Sequence, residues 1–312
     1  MLSIHRRREE FEANKVIHEA ALLRFKGVDG WDVYNCSVPF LYNGKRHIYG
    51  RVERREEWAN SHVRLFVETG KDEFTALPDC LWELEDPYVQ VIKGEFIFGG
   101  THVRKNAGEV LSYYGYFYRG TPEHLTYFTT GPNFMKDIRV VELQDGRVGV
   151  FSRRRDHEEV YIGFCTIDSI EDLSMEAISD ARRLDVLEEG TWGGVNQAYR
   201  LESGKIGCIA HYSYHDKKPD GMPLTVYTNY AFVLDPETRE ILDGKIIGSM
   251  NCYPPCPAKI PKLEDCVFTG GMVLCEDGTC DLYSGIGDTG AGRIRIDYPF
   301  AQYGKVVSSL DL

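Results

Sequence analysis

The chain has 312 residues, of which 43% are hydrophobic and 27% are charged, enough apolar material for the core of one large domain or two ordinary ones. Its 36 basic and 48 acidic residues leave a formal net charge of −12. Because an acidic surface repels nucleic-acid phosphates and anionic lipid headgroups, nucleic acids and membranes are excluded as main partners.

Residues 1–14 are predicted to form a solvated N-terminal tail, because a basic run at residues 5–8 is followed at once by Glu9 and Glu10. No stretch has the apolar length of a membrane span, which needs roughly 18 residues. The nine cysteines are an odd number in a chain too large to need disulfides, so reduced thiols in the cytoplasm are expected. The spacings Cys252–Cys256 and Cys275–Cys280 are not typical of zinc sites, and we expect no metal.

A hairpin pattern recurs five times along the chain, as an apolar strand, a glycine-containing turn and a second apolar strand. Asn-Gly and Asp-Gly turns favour tight hairpins because both residues tolerate positive φ. Successive turn glycines lie 50, 52, 58 and 74 residues apart, and a four-stranded propeller blade takes about 40–50 residues. The last interval therefore contains an insertion, at residues 219–223 or at the proline-rich residues 253–257. The turn glycines are Gly44, Gly94, Gly146, Gly204 and Gly278.

These repeats predict an all-β chain that folds as one five-bladed β-propeller over residues 1–312. A β-sandwich is the alternative fold, but it does not explain five copies of one hairpin over 300 residues. The blades are predicted near residues 33–68, 86–130, 136–185, 193–243 and 265–312, after the tail at 1–14.

The innermost strands of a propeller line its central channel, so polar residues that flank the five hairpins are expected to converge there. These residues are Asn35, Arg51, Glu85, Asp86, Lys136, Asp137, Arg153, His211, Tyr212 and Asp288.

Several of these segments resemble motifs of the β-mannoside phosphorylases, which are five-bladed propellers. Glu85-Asp86-Pro87 resembles the Glu-Asp-Pro motif whose Asp is the catalytic acid in that family. Lys136-Asp137 with Arg153 resembles the Lys-Asp and distal Arg of the third blade, and His211 lies where the fourth blade has a phosphate-contacting His. Residues 283–289 resemble the closing Tyr-Gly-x-x-Asp-Thr element.

Over the whole chain, the sequence is more similar to a related family, formerly a domain of unknown function. Its members are mannosyltransferase/phosphorylases that build and degrade β-1,2-linked mannan. Tyr88 replaces the Arg that usually follows Glu-Asp-Pro, and residues 35–37 read Asn-Cys-Ser instead of Asn-Pro-Ala, so the acceptor and linkage are left open.

The chemistry of phosphorolysis explains why one carboxyl group and several cations are the expected set. Phosphate is itself the nucleophile, so the second carboxylate with which an inverting hydrolase activates water becomes dispensable. We predict Asp86 as the acid, and the resemblance implies that its proton can pass through a sugar hydroxyl. Glu85 is expected to point away, because side chains alternate along a strand.

The remaining residues are predicted to bind the two substrates. Lys136, Arg153 and His211 form the predicted phosphate pocket, since Arg offers a planar fork and Lys a point charge. No cofactor is expected beyond phosphate as co-substrate, although GDP-mannose could use the same pocket. The predicted ligands of mannose or oligomannoside are Asn35, Arg51, Asp137, Asp288 and Tyr212, with Trp31, Tyr34 and Trp192 as further aromatic platforms.

Two other functions stay open at this point. An inverting glycoside hydrolase would need two working carboxylates, such as Asp32 with Asp86 or Glu188. A non-catalytic interaction propeller would need neither a central acid nor a cation cluster.

Overall fold

The structure is a computed structural model, and it describes residues 3–58, 60–106, 109–156, 159–308, 310 and 312. Five mainly antiparallel sheets, each built from consecutive strands apart from one N-terminal exchange, form the blades of a β-propeller. The predicted all-β, five-bladed fold is therefore confirmed. Residues 1 and 2 of the predicted tail, and residues 309 and 311 of the predicted fifth blade, lie outside the described residues.

The N-terminal segment is not the solvated tail that the charge pattern predicted. It forms helix α1 (Ile4–Asn14), followed by strand β1 (Glu19–Leu22). Ile4 is 1% exposed and packs in the core between blades three and four. Arg7 donates hydrogen bonds to Tyr230 (2.8 Å) and Glu188 (3.1 Å). Arg7, together with Arg8, which bonds to Asp265 (2.6 Å), therefore attaches the helix to the propeller, whereas Arg6 faces solvent.

Blades one and two lie within residues 24–130. The sheet of blade one extends to Trp82, beyond the predicted limit near residue 68, because its outer strands follow a second hairpin. Blade one comprises β2 (Arg24–Lys26), β3 (Asp32–Tyr34), β4 (Phe40–Tyr42), β5 (Lys45–Glu53), β6 (His62–Gly70) and β7 (Glu73–Trp82), in the order β2-β7-β6-β5-β3 with β4 also on β5. Blade two comprises β8 (Glu85–Ile92), β9 (Glu95–Asn106), β10 (Glu109–Thr121) and β11 (His124–Thr130).

Blades three and four follow in the same pattern, with the innermost strand first and the outermost last. Blade three comprises β12 (Lys136–Glu142), β13 (Val148–Asp156), β14 (Glu159–Ile167) and β15 (Arg182–Arg183), with helix α2 (Met175–Ser179) before its last strand. Blade four comprises β16 (Trp192–Arg200), β17 (Ile206–Lys217), β18 (Pro223–Leu234) and β19 (Ile241–Gly248).

The outermost strand of blade five comes from the N-terminal part of the chain. It comprises β20 (Val267–Leu274), β21 (Thr279–Ile286) and β22 (Gly290–Asp297), and β1 pairs with β22 as the outermost strand. The predicted blade at 265–312 was therefore wrong in its outer part. A sequence repeat cannot reveal that the fourth strand comes from more than 240 residues earlier.

The hairpin turns have the backbone conformation that their sequences predicted. Asn43 and Gly44 have φ of 51° and 70°, and Lys93 and Gly94 have φ of 51° and 81°. Two consecutive residues with positive φ match the right-handed twist of the flanking strands, which keeps the register tight. In the described chain, five clusters of buried apolar side chains fill the spaces between neighbouring blades.

Arg293 on β22 joins the closing strand to both neighbours. Its guanidinium contacts Glu19 of β1 (2.7 Å), Asp72 in the β6–β7 turn (2.5 Å) and Asp281 of β21 (3.2 Å). Glu19 also pairs with Lys71, and Asp281 also pairs with Arg295, so the buried Arg293 is the main counterion for Asp72 and is shared by the other two carboxylates.

We therefore expect Arg293→Met to lower the free energy of unfolding by about 3–5 kcal/mol, because the carboxylates lose their buried counterion. Urea unfolding followed by circular dichroism measures the effect. Arg46→Ala, which removes an exposed pair with Glu68, is the control and should change stability by less than about 1 kcal/mol. Equal effects of the two substitutions would contradict the role given to Arg293.

Candidate active site

Three polar residues at the start of the innermost strands have left-handed backbone conformations. Asn35, Asp86 and Asp137 have φ of 44°, 49° and 51°. The pairing of β8 with β9 shifts between Glu85 and Tyr88, and that of β12 with β13 shifts around Asp137. Such β-bulges insert one unpaired residue and turn its side chain, and Asn and Asp tolerate this conformation better than other non-glycine residues. The bulges thus turn these side chains out of the regular ladder.

The bulge at Asp86 also overturns the prediction that Glu85 points away. Glu85 and Asp86 both contact Arg51, since the extra residue cancels the alternation of side chains. Glu85 accepts hydrogen bonds from Arg51 (3.1 Å) and from Lys136 (3.0 Å). It therefore joins the cation of blade one to the cation of blade three, and Pro87 fits beside it because the bulge needs no N–H donor there.

Asp86 is a buried carboxylate with two donors. Its Oδ1 accepts hydrogen bonds from Asn35 Nδ2 (2.9 Å) and from Arg51 (3.2 Å). Burial disfavours the charge, but Arg51, Lys136 and Asn35 outweigh burial and lower the pKa of Asp86 to about 2. The carboxylate is therefore ionised at neutral pH in the unliganded protein.

Arg51 also contacts a further carboxylate, that of Glu53. Glu53 lies 3.7 Å from Arg51 and accepts a hydrogen bond from Tyr34 (2.6 Å), while the Arg51 guanidinium lies 4.9 Å from the Tyr34 ring centroid. Lys259, from the proline-rich insertion, pairs with Glu53. Sequence reasoning missed Lys259, because that segment has no repeat pattern that would place it at the axis.

Asp137 positions Arg153. Its Oδ2 lies 3.2 Å from Arg153 Nε and 3.8 Å from His211 Nε2, and its Oδ1 lies 3.7 Å from Arg139. A Cβ atom on Gly194 would come within 2.5 Å of Oδ2, so this glycine leaves the space that the carboxylate occupies. Although these cations lie close to it, Oδ2 has no hydrogen-bond partner among the described residues, so Asp137 keeps capacity to accept a hydroxyl group.

His211 is deeper than the sequence predicted. Its side chain has no exposed surface, lies between the rings of Tyr227 and Phe268, and its Nδ1 lies 2.9 Å from Asn196 Oδ1. Burial lowers the pKa of His211 to about 4, so the imidazole is neutral at pH 7. Its Nε2 lies 3.8 Å from Asp137 Oδ2 and has no hydrogen-bond partner in the described chain, so the contact of His211 with phosphate stays a prediction.

Tyr212 does not belong to the site. It follows His211 in β17 and faces the other side of the sheet, where its ring packs against Tyr230 in the core between blades three and four. Its hydroxyl bonds to the backbone N–H of Glu188 (2.7 Å). The prediction that it binds substrate was wrong, because two adjacent strand residues cannot both face the axis.

Asp288 keeps free hydrogen-bonding capacity. It has φ of 57° in the turn between β21 and β22, and within the described chain no ion pair involves its carboxyl group. Burial, together with repulsion from Asp86, raises the pKa of Asp288 to about 6 against the attraction of Arg51 and Lys259. Asp288 therefore stays a candidate ligand of the sugar, beside Asn35 and Asp137, whose side-chain oxygens Oδ1 and Oδ2 also lack hydrogen-bond partners in the described chain.

The two carboxylates that the hydrolase alternative would pair with Asp86 contact other residues. Asp32 forms two contacts with Arg55 (2.5 and 2.7 Å), and Glu188 pairs with Arg7 and accepts the N–H of Ile4. Both carboxylates are thus engaged by cations or backbone N–H groups other than those that hold Asp86. Among the described residues, no three His, Cys, Asp or Glu side chains are grouped to hold a metal, and no helix is long and apolar enough to cross a membrane.

A cavity of about 650 Å³ reaches the cationic side of this cluster. Lys136 and Arg153 line its inner end, and the ammonium of Lys136 also lies 5.3 Å from the ring centroid of Tyr113. Asp86 lies beside this end, since Lys136 and Arg153 both interact electrostatically with its carboxylate. Asp86 itself is not part of the cavity lining, whereas the two cations beside it are.

A buried, ionised Asp86 beside the cations Lys136 and Arg153, at the centre of five blades, is the arrangement expected of a glycosyl-transfer enzyme built on a propeller. A family model described as protein of unknown function (DUF1861) matches residues 9–302. The chain belongs to this family.

Solved structures give more specific likenesses. MPT-4, a mannose phosphorylase from Leishmania mexicana solved with a phosphate ion, is 61% identical over 99% of this chain and 97% of its own, with a TM-score of 0.97. MPT-1, a GDP-Man-dependent mannosyltransferase from the same organism, is 51% identical over 99% of both chains, with a TM-score of 0.94. A structure from the GH130 family of mannoside phosphorylases, at 14% identity over 95% of this chain and 98% of its own and with a TM-score of 0.59, shares the fold. None of the curated proteins compared with this chain matches it.

The raised pKa of Asp288 gives a stability test. Because the folded protein holds a proton on Asp288 that the unfolded chain releases above pH about 4, stability from this group falls as pH rises from about 4 through 6. Asp288→Asn removes the effect, so the wild type should lose roughly 2–3 kcal/mol relative to the variant between pH 4 and pH 7. Urea unfolding of both proteins at each pH measures the difference. A difference that stays constant with pH would contradict the shift.

Proposed function

We propose that this protein transfers mannosyl groups between phosphate and a hydroxyl group of mannose or a β-1,2-linked oligomannoside, with inversion at the anomeric carbon. The observation that carries the proposal is the Asp86 carboxylate, buried against Asn35 and Arg51 beside the cations Lys136 and Arg153. The activities of the two Leishmania relatives support the choice of mannose.

The roles follow from the direction of each contact. Lys136 and Arg153 bind the phosphate, because they line the cavity and keep part of their surface accessible. Glu85 positions Lys136, and Asp137, with His211 behind it, positions Arg153. Arg51 and Asn35 position Asp86, and Asp288 accepts hydroxyl groups of the sugar.

In the synthetic direction, the acceptor hydroxyl oxygen attacks the anomeric carbon of mannose 1-phosphate as the bond from that carbon to the phosphate oxygen breaks. The hydroxyl proton passes to Asp86, and the bonding electron pair leaves with the phosphate, whose charge Lys136 and Arg153 stabilise. Phosphorolysis is the same path reversed, with Asp86 as the acid.

The low pKa of Asp86 suits its role as a base in synthesis. For phosphorolysis the carboxyl group must carry a proton, and bound phosphate favours this, since its negative charge offsets Lys136 and Arg153. The cations that hold phosphate thus also couple its binding to the protonation of Asp86.

We also propose that the protein works in the cytoplasm and needs no cofactor beyond phosphate or a sugar nucleotide. The nine cysteines, all within the described chain, are free thiols, as a reducing compartment favours.

We expect Asp86→Asn to lower the rate at which mannose 1-phosphate and mannose yield oligosaccharide and free phosphate by at least about 100-fold, because the amide cannot take up the proton. Chromatography of the sugars and a phosphate assay measure both products. Circular dichroism must show an unchanged fold. Wild-type rates in a folded Asp86→Asn protein, or no activity in the wild type, would refute the proposal.

Arg153→Ala should raise the KM for phosphate in phosphorolysis by about tenfold or more, because a charge-assisted hydrogen bond to the phosphate is lost. Arg154 follows on the same strand but donates to the carbonyl of Ser179, so Arg154→Ala is the matched control. Initial rates at varied phosphate concentration separate KM from kcat. An unchanged KM for phosphate would remove Arg153 from the pocket.

A further inference from the structure

The irregular segment between β19 and β20, residues 249–266, reaches the candidate active site. Tyr253 anchors this segment, because its buried hydroxyl lies 2.9 Å from Asn229 Oδ1 and 2.8 Å from Ser284 Oγ. Further along, Lys259 points into the centre of the propeller, where its side chain is 4% exposed and pairs with Glu53. The segment therefore contributes a buried cation to the site.

The same segment holds the turn that carries Asp288. The backbone N–H of Lys259 donates to the carbonyl oxygen of Gly287 (2.8 Å). On the other side of Asp288, the hydroxyl of Thr289 donates to the carbonyl oxygen of Pro257. Gly287 and Asp288 have φ of 58° and 57°, and a Cβ atom on Gly287 would come within 2.9 Å of the backbone of the segment. Contacts on both sides of Asp288 thus fix the direction of its side chain.

Lys259 shares the carboxylate of Glu53 with Arg51. Its ammonium contacts Oε2, Arg51 lies 3.7 Å from Oε1, and the Glu53 side chain is 1% exposed. Burial disfavours the charge of Glu53, but Arg51 and Lys259 stabilise it, and the pKa of Glu53 is lowered. Because Lys259 supplies part of the counter-charge, Arg51 keeps its shorter contact with Asp86, at 3.2 Å.

Loss of the Lys259 charge has two expected consequences. Glu53 would draw Arg51 toward itself and away from Asp86, because a buried carboxylate needs a counterion. Asp288 would lose a cation that favours its ionised form against burial and the repulsion of other carboxylates. Both consequences reach groups that the proposed function assigns to proton transfer and to sugar binding.

Asp288 responds to charges from several elements of the fold. The charged groups that act on it are Arg51 and Glu53 of β5, Asp86 of β8 and Lys259, and the neutral titratable groups near it are Tyr34, Tyr227 and Cys266. Burial has the largest influence on the pKa of Asp288, which is raised to about 6. A change in one neighbouring charge therefore alters its ionisation within a pH range that kinetics can follow.

We propose that Lys259 is a positioning residue of the active site. By pairing with Glu53 it leaves Arg51 in contact with Asp86, and beside the turn of residues 287–289 it favours the ionised Asp288 that accepts sugar hydroxyl groups. The inference rests on the proposed function and extends the working site to the segment at residues 249–266.

The pH dependence of synthesis from mannose 1-phosphate and mannose tests this role. In the wild type, kcat/KM should fall on the acid side as Asp288 gains a proton near pH 6. In Lys259→Met this acid limb should move upward by about half a pH unit or more, so that the loss relative to wild type is about two- to fivefold larger at pH 6 than at pH 8. A packing defect would lower the rate by the same factor at both pH values.

Lys262→Met is the matched control, because Lys262 is exposed three residues further along the same segment and its loss should leave the pH profile unchanged. Lys259→Gln keeps an N–H donor for Glu53 but no charge. It should show the same shift, and it keeps the test valid if circular dichroism shows that Lys259→Met does not fold. An acid limb at the wild-type pH in the Lys259 variants, or an equal shift in Lys262→Met, would overturn the role.

Unfolding measurements separate this inference from the proposed function, because they need no turnover. The stability difference between proteins with Asp288 and with Asp288→Asn reports the proton held in the folded state, and it declines as pH rises through the folded pKa. In the Lys259→Met background, this decline should extend to higher pH. An active wild type with no shift in either measurement would leave the proposed function intact and remove the inference. A shift in unfolding, in a protein with no mannosyl transfer, would support the action of Lys259 on Asp288 and refute the proposed function.

Discussion

The ion pairs of Glu85 are the contact on which the rest of the site depends. One carboxylate holds Arg51 of blade one at 3.1 Å and Lys136 of blade three at 3.0 Å. Arg51 in turn fixes Asp86, and Lys136 forms one side of the phosphate pocket. A buried charge without a partner is strongly unfavourable, and Glu85 is the carboxylate that partners both cations, although Arg51 also pairs with Asp86 and Glu53. Three blades are therefore aligned by charge at the axis, in addition to the apolar packing between them.

Charge compensation also explains how a protein of net charge −12 can bind anions. At the axis, carboxylates and cations occur in adjacent pairs, such as Glu85 with Lys136 and Asp137 with Arg153. The pairs are close to neutral overall, but the cations are the members that reach the cavity. An arriving phosphate therefore meets cations first, while the carboxylates behind them keep those cations ordered in its absence.

The fold was largely predictable because its unit is local. An Asn-Gly or Asp-Gly turn forms a hairpin through its own backbone preferences, so five such turns at blade-length intervals predict five blades. The same reasoning selected Asp86, Lys136 and Arg153 as candidate site residues, because residues that flank an innermost hairpin are expected to lie near the axis of the propeller. The direction in which the Glu85 side chain points could not be predicted. A β-bulge changes the face of the sheet on which a side chain lies, and it has no obvious sequence signature.

The sequence by itself determined the repeat, the turns and the set of polar residues that could meet at the axis, because these depend on neighbours a few residues away. Only the tertiary structure decided that β1 closes blade five, that Lys259 joins the site from an irregular segment, and that His211 is buried behind Asp137. Each of these depends on contacts between segments far apart in the chain. Such contacts are set by the packing of whole blades, which no local pattern of residues records.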